Sequence, residues 1–151
     1  ARTSNASLKQ LCGKTTVAEL IAMTSDEKKH AAKDRCVAFQ TDILVVDGPN
    51  QKVLRPRTLE EAIVYENFGL LRSGALSIGA DVSPALDDAY QDVYDRIRSN
   101  GFKKTDFAMD ILARTEPWTV PEYIAEGLRW LEARLCPPVG GATPTAVAGA
   151  V

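Results

Sequence analysis

A Ser–His–Asp or Cys–His nucleophile needs an imidazole, and the sequence holds one histidine, His30, inside a charged run. That setting reads as solvent-facing rather than catalytic. The sequence has no Gly-x-x-x-x-Gly-Lys-Ser/Thr loop and no Gly-x-Gly-x-x-Gly, so no familiar phosphate cradle is encoded. Asp47 closes the hydrophobic run 43–46, where phosphoryl-transfer enzymes often place a metal carboxylate. It also opens Asp47-Gly48-Pro49-Asn50, and the turn is the preferred reading. Glu61 follows Thr58 by three residues, the spacing of a capping box, so a helix cap is its first reading. At about 100° per residue, Glu66 projects between Leu59 and Ile63 on an apolar face. A carboxylate buried there needs an arginine, a backbone N–H or a metal ion, with structural pairing the default. Lys103 and Lys104 precede a helix start, where the dipole disfavours cations unless an anion such as phosphate binds between them. Two solvated loop lysines explain the pair equally well.

The elements that must hold these groups are mostly helical. Thr16/Glu19 and Thr24/Glu27 have capping-box spacing and open two helices, the second running to about Lys33. Residues 36–39 and 42–46 are rich in β-formers, and residues 51–55 return as a partner strand after the turn. Thr58 caps a helix to about Arg72, apolar on two sides and therefore mostly buried. Ser83-Pro84, Thr105 or Asp106, and Thr119 open three more helices. Residues 136–151 lack periodicity and read as a flexible tail beyond a domain of residues 1–135. The expected class is α+β, mostly helical, with about six helices and a small antiparallel sheet near residues 36–55.

Composition narrows the function. A length of 151 residues suits one domain, and a net charge of −2 speaks against a module that grips nucleic acid unaided. Lys52, Arg55 and Arg57 nevertheless cluster locally. Cys12, Cys36 and Cys136 are scattered, which argues against a disulfide framework and a zinc site and suits a reducing cytoplasm. No apolar run reaches the ~20 residues of a membrane span, and no signal peptide is expected. The chain lacks an initial Met, which fits a processed or excised piece.

Three blocks together carry a resemblance: residues 1–5 (Ala-Arg-Thr-Ser-Asn), residues 55–67 (Arg-Pro-Arg-Thr-Leu-Glu-Glu-Ala through Tyr-Glu-Asn), and residues 104–108 (Lys-Thr-Asp-Phe-Ala). They resemble the C-terminal part of the overcoming-lysogenization-defect (OLD) family of ATP-dependent endonucleases. Residues 118–124 and Trp130-Leu131 resemble that family's end, so the likeness covers about residues 1–135. It implies a partial Toprim-type region with a helical insert and Mg²⁺- or Mn²⁺-dependent cutting of DNA by two metal ions. Carried over, Glu61 binds a metal with Thr58 in support, and Glu66 joins as a further metal-site residue. Lys104 stabilises phosphate charge, with Arg35 a second candidate of that kind. ATP would act only through an N-terminal ATPase domain that this sequence lacks, and a homodimer is compatible with the resemblance.

The departures shape the expectation. The family's chemistry also needs an earlier glutamate and an Asp-x-Asp pair, and neither occurs here, where Ala1 falls just beyond the expected Asp-x-Asp strand. One glutamate cannot hold two divalent ions, so the chain by itself is expected to be inactive. The rivals are a stand-alone protein-interaction module without catalysis and a passive nucleic-acid-binding module.

Overall fold

The computed structural model describes residues 6–30 and 35–135. Expectations for residues 1–5 and for the tail 136–151 lie outside the described residues. The class is α+β and about half helical, with eight helices among the described residues. In chain order they are α1 (Ala6–Cys12), α2 (Val17–Ile21), α3 (Ser25–Lys28), α4 (Leu59–Glu66), α5 (Phe68–Arg72), α6 (Leu86–Arg98), α7 (Lys104–Leu112) and α8 (Glu122–Leu135). The strands β1 (Lys29–His30), β2 (Arg35–Cys36), β3 (Ile43–Asp47) and β4 (Asn50–Leu54) form two separate antiparallel pairs, β1 with β2 and β3 with β4. No helix is long and apolar enough to cross a membrane among the described residues.

Local rules set several of these elements. Thr16 and Thr24 form complete capping boxes with Glu19 and Glu27, because each side chain meets the other's free N–H within one turn. The second of these helices stops at Lys28 rather than near Lys33. Lys28 is buried, its ammonium lies 5.1 Å from the Phe39 ring centre, and its carbonyl accepts the N–H of Val37 at 2.9 Å. That pairing turns Lys29–His30 into a strand. The hairpin β3–β4 has the register Asp47↔Asn50 through Ile43↔Leu54, and Gly48 takes a positive φ of 59° in its turn. Asp47 serves that turn: its Oδ2 accepts from Arg72 Nε and Nη2 at 3.0 and 2.7 Å. Arg72 also donates to the carbonyls of Ser83 and Pro84, so one guanidinium joins the hairpin tip, α5 and the loop before α6.

The long helix expected from Thr58 to Arg72 is two. Asn67 interrupts it with φ −116° and ψ 32°. Its buried amide donates to the Ile63 and Thr119 carbonyls at 2.7 and 2.8 Å, and its Oδ1 accepts the Thr119 N–H at 2.6 Å. A tertiary anchor, not a glycine or proline, makes the break. The α6 helix begins at Leu86, and Ser83 turns its N–H and hydroxyl to Asp92 instead of capping.

Most of the core gathers around α4. Ile43, Val45 and Leu54 of the hairpin pack with Ala62, Ile63, Val64, Tyr65, Phe68, Leu76, Val93, Ile97, Phe107 and Ile111. A smaller cluster of Leu20, Met23, Val37 and Phe39 sits near the N-terminus. Lys28 and Ser25 both reach Glu126 of α8, which ties that cluster to the last helix.

Candidate functional site

The start of α4 carries two adjacent glutamates with opposite fates. Thr58 is extended (φ −128°, ψ 165°), and its Oγ1 accepts the Glu61 N–H at 3.2 Å, so the expected cap exists. The reciprocal half is displaced by one residue. Glu61 Oε2 takes the N–H of Arg57, not that of Thr58, at 2.8 Å. This draws the carboxylate inward until Glu61 is only 1% exposed, and Oε1 is buried without a hydrogen-bond partner among the described residues. Burial raises the Glu61 pKa, opposed by the Arg57 N–H and by the charges of Arg57 and Arg98.

Glu60 points the other way, toward α7. Its Oε1 lies 3.1 Å from Lys104 Nζ, with the glutamate side chain 14% exposed and the lysine 59% exposed. Burial disfavours the Glu60 anion. Its own backbone N–H, the Lys104 ammonium and the Thr58 hydroxyl outweigh that effect and hold its pKa below the usual range. The Glu60 charge also reaches half-buried Tyr123 of α8, whose pKa is raised first by burial and then by that charge. Glu60 and Lys104 therefore meet from α4 and the first turn of α7, next to the Thr58 cap, with Tyr123 in the first turn of α8 within reach of the Glu60 charge.

This geometry rearranges the residues expected from sequence. Thr58 and Lys104 come together, but around Glu60. Glu61 is turned away as a buried main-chain tie. Glu66 is half-buried at the end of α4 rather than sealed in an apolar face, because Leu59 beside it is itself exposed; it has no hydrogen bond or ion pair among the described residues. Arg35 lies in β2, paired across the strand with His30, and no hydrogen bond or ion pair joins it to the α4 group among the described residues. Lys103 and Lys104 do not form one anion clamp. Lys104 engages Glu60, while Lys103 lines a cavity of about 320 Å³ with Arg96, Phe102, Asp106 and Asp110.

Sequence reasoning missed Glu60. The available signal was the pair Glu60-Glu61 itself. Neighbouring positions on a helix lie about 100° apart, so an inward Glu61 leaves Glu60 on a different face.

Thr58 Oγ1 and the Glu60 carboxylate are hard oxygen donors, which suit Mg²⁺ or Mn²⁺ in kind. They fall short in number: no three His, Cys, Asp or Glu side chains cluster as a metal site among the described residues. What the group offers is one ionised carboxylate, a hydroxyl, and an exposed ammonium beside them. No family model matches this chain, and neither a curated protein nor a solved structure matches it.

Proposed function

We propose that this chain is the C-terminal part of a metal-dependent DNA endonuclease of the OLD kind, in which Thr58, Glu60 and Lys104 form one edge of the phosphodiester-cutting site. The observation that carries the reading is the 3.1 Å approach of Lys104 to a Glu60 carboxylate held in its ionised form. The resemblance supplies the chemistry, and the geometry selects Glu60 over Glu61 as the carboxylate available to it.

Glu60 and Thr58 would hold one side of a Mg²⁺ or Mn²⁺ site, with the missing carboxylates contributed by a Toprim core outside the described residues. Such ions, when bound, stabilise charge on the attacking and leaving oxygens of phosphodiester hydrolysis. Lys104 is more exposed than its partner, so its ammonium can leave Glu60 and meet the scissile phosphate. Thr58 does two jobs, capping α4 through the Glu61 N–H and favouring the ionised form of Glu60 through its hydroxyl. ATP would act through a separate ATPase domain.

A plasmid-nicking assay with Mn²⁺ tests this. The chain alone leaves supercoiled plasmid intact, whereas a protein carrying this chain behind an Asp-x-Asp core nicks it. Glu60→Gln and Lys104→Met each abolish that nicking. Nicking by the longer protein that survives both substitutions would overturn the reading.

One observation favours the second reading, a protein-interaction module. Leu44, Val46 and Val53 on the outer face of the β3–β4 hairpin are each more than half exposed. An apolar sheet face of this kind suits contact with another protein surface. Under this reading Glu60 and Lys104 are a surface ion pair, and both substitutions leave every DNA assay unchanged.

A further inference from the structure

Most of the other cationic side chains have evident occupations. Arg55 pairs with Asp42, Arg72 with Asp47, Lys52 with Asp87, Lys28 with Glu126 and Arg114 with Glu116. Arg57 and Arg98 differ. Both are exposed, and neither has a carboxylate within ion-pairing distance among the described residues. They converge instead on Tyr94. Arg57 Nη1 and Arg98 Nη1 donate to its hydroxyl at 2.6 and 2.5 Å, and their guanidinium carbons lie 4.6 and 5.0 Å from its ring centre.

Two cations drawn to one neutral oxygen repel each other, and the nearby Glu61 carboxylate, whose charged form burial disfavours, offsets that repulsion only in part. The Tyr94 oxygen accepts from both, which leaves its own proton free to donate outward. Each guanidinium keeps further N–H donors in a planar fork that matches phosphate oxygens. The seat is held in place. Tyr94 and Arg98 are one turn apart on α6, and the Arg57 main chain is pinned by Glu61 Oε2. Behind it lies a cavity of about 180 Å³ lined by Arg55, Arg57, Glu61, Tyr65, Tyr90 and Tyr94, where two arginines outnumber the one carboxylate.

We infer that Arg57, Tyr94 and Arg98 form a seat for a backbone phosphate of DNA. The phosphate chemistry follows from the donors, and the choice of DNA rests on the nuclease reading above. Arg57 lies three residues before Glu60, so the seat and the Lys104–Glu60 pair flank the same start of α4.

The test is fluorescence anisotropy of the full chain with a labelled DNA duplex at low salt, without divalent ions. Arg57→Ala and Arg98→Ala are each expected to weaken binding about three- to tenfold, and each to flatten the dependence of log K on log salt by about one. Arg98→Lys restores part of the salt slope but not the full affinity. Circular dichroism checks that every variant is folded. Absence of binding by the unsubstituted chain overturns the inference, as does an unchanged salt slope in the double variant. Inorganic phosphate forms a separate arm. If it raises Tm in the unsubstituted chain but not in the double variant, while duplex fails to bind, the seat takes free phosphate and DNA is the wrong ligand. Nicking tests the nuclease reading independently: loss in Glu60→Gln with an unaltered salt slope in the double variant keeps the nuclease and removes this seat. The reverse pattern keeps the seat and removes the nuclease.

Discussion

The two sides of α4 handle negative charge in opposite ways. On the side facing α7 and α8, Glu60 is partly screened from water yet stays readily ionised, because Lys104, Thr58 and a main-chain N–H serve it. On the side facing α6, Glu61 is sealed in, has one oxygen bonded to the Arg57 N–H, and has its pKa raised by burial. Identical side chains one residue apart thus become a presented anion and a structural tie. Residue type alone decides little here; the number of donors that burial leaves to each carboxylate decides more.

The largest effect should come from the presented side. In the longer protein, Glu60→Gln and Lys104→Met are expected to reduce plasmid nicking by at least about a hundredfold, with little change in thermal midpoint. Glu61→Gln should retain measurable nicking. Equal loss in all three would dissolve the distinction between the two sides.

Next in size is Asn67→Ala. Its amide joins the α4–α5 junction to Thr119, in the segment that leads into α8. Removing it strands buried main-chain groups and should cost about 2–3 kcal/mol in urea unfolding. A loss near zero would show that α8 is held by other contacts. Thr58→Ala removes the cap of α4 and should cost about 1 kcal/mol; because Thr58 serves both glutamates, it should also lower nicking.

The finest test is pH. Glu61 has a raised folded pKa, so its contribution is fully present below the unfolded value and is lost as pH rises through the folded one. Glu60 has a lowered folded pKa, so its contribution is present above the unfolded value and is lost as pH falls through the folded one. Relative to the unsubstituted chain, Glu61→Gln should therefore gain stability as pH rises from the acid side toward neutrality, and Glu60→Gln should lose it. Urea midpoints between mildly acid and neutral pH measure both. Slopes of the same sign would refute the assignment of opposite environments.

What could be read from the sequence was what neighbouring residues decide. The boxes at Thr16/Glu19 and Thr24/Glu27 follow from spacing alone, since both partners lie within one turn. The hairpin turn at Asp47–Asn50 is equally local, as is the buried character of α4. Long-range partners hid the rest. The break at Asn67 depends on Thr119, 52 residues later. The early end of α3 depends on Val37, Phe39 and Glu126. The same limit separated Glu60 from Glu61, because a capping pattern does not reveal which way a displaced carboxylate turns. The Lys104 that marks Glu60 lies 44 positions away.

The outer face of the β3–β4 hairpin has a colloidal consequence. Leu44 and Val53 stand opposite each other across the strands, with Val46 on the same face, all turned to solvent. A net charge of −2 gives two copies of the chain little mutual repulsion. In concentrated preparations this patch is therefore one place where copies would adhere, and Leu44→Lys would weaken that contact without touching either glutamate.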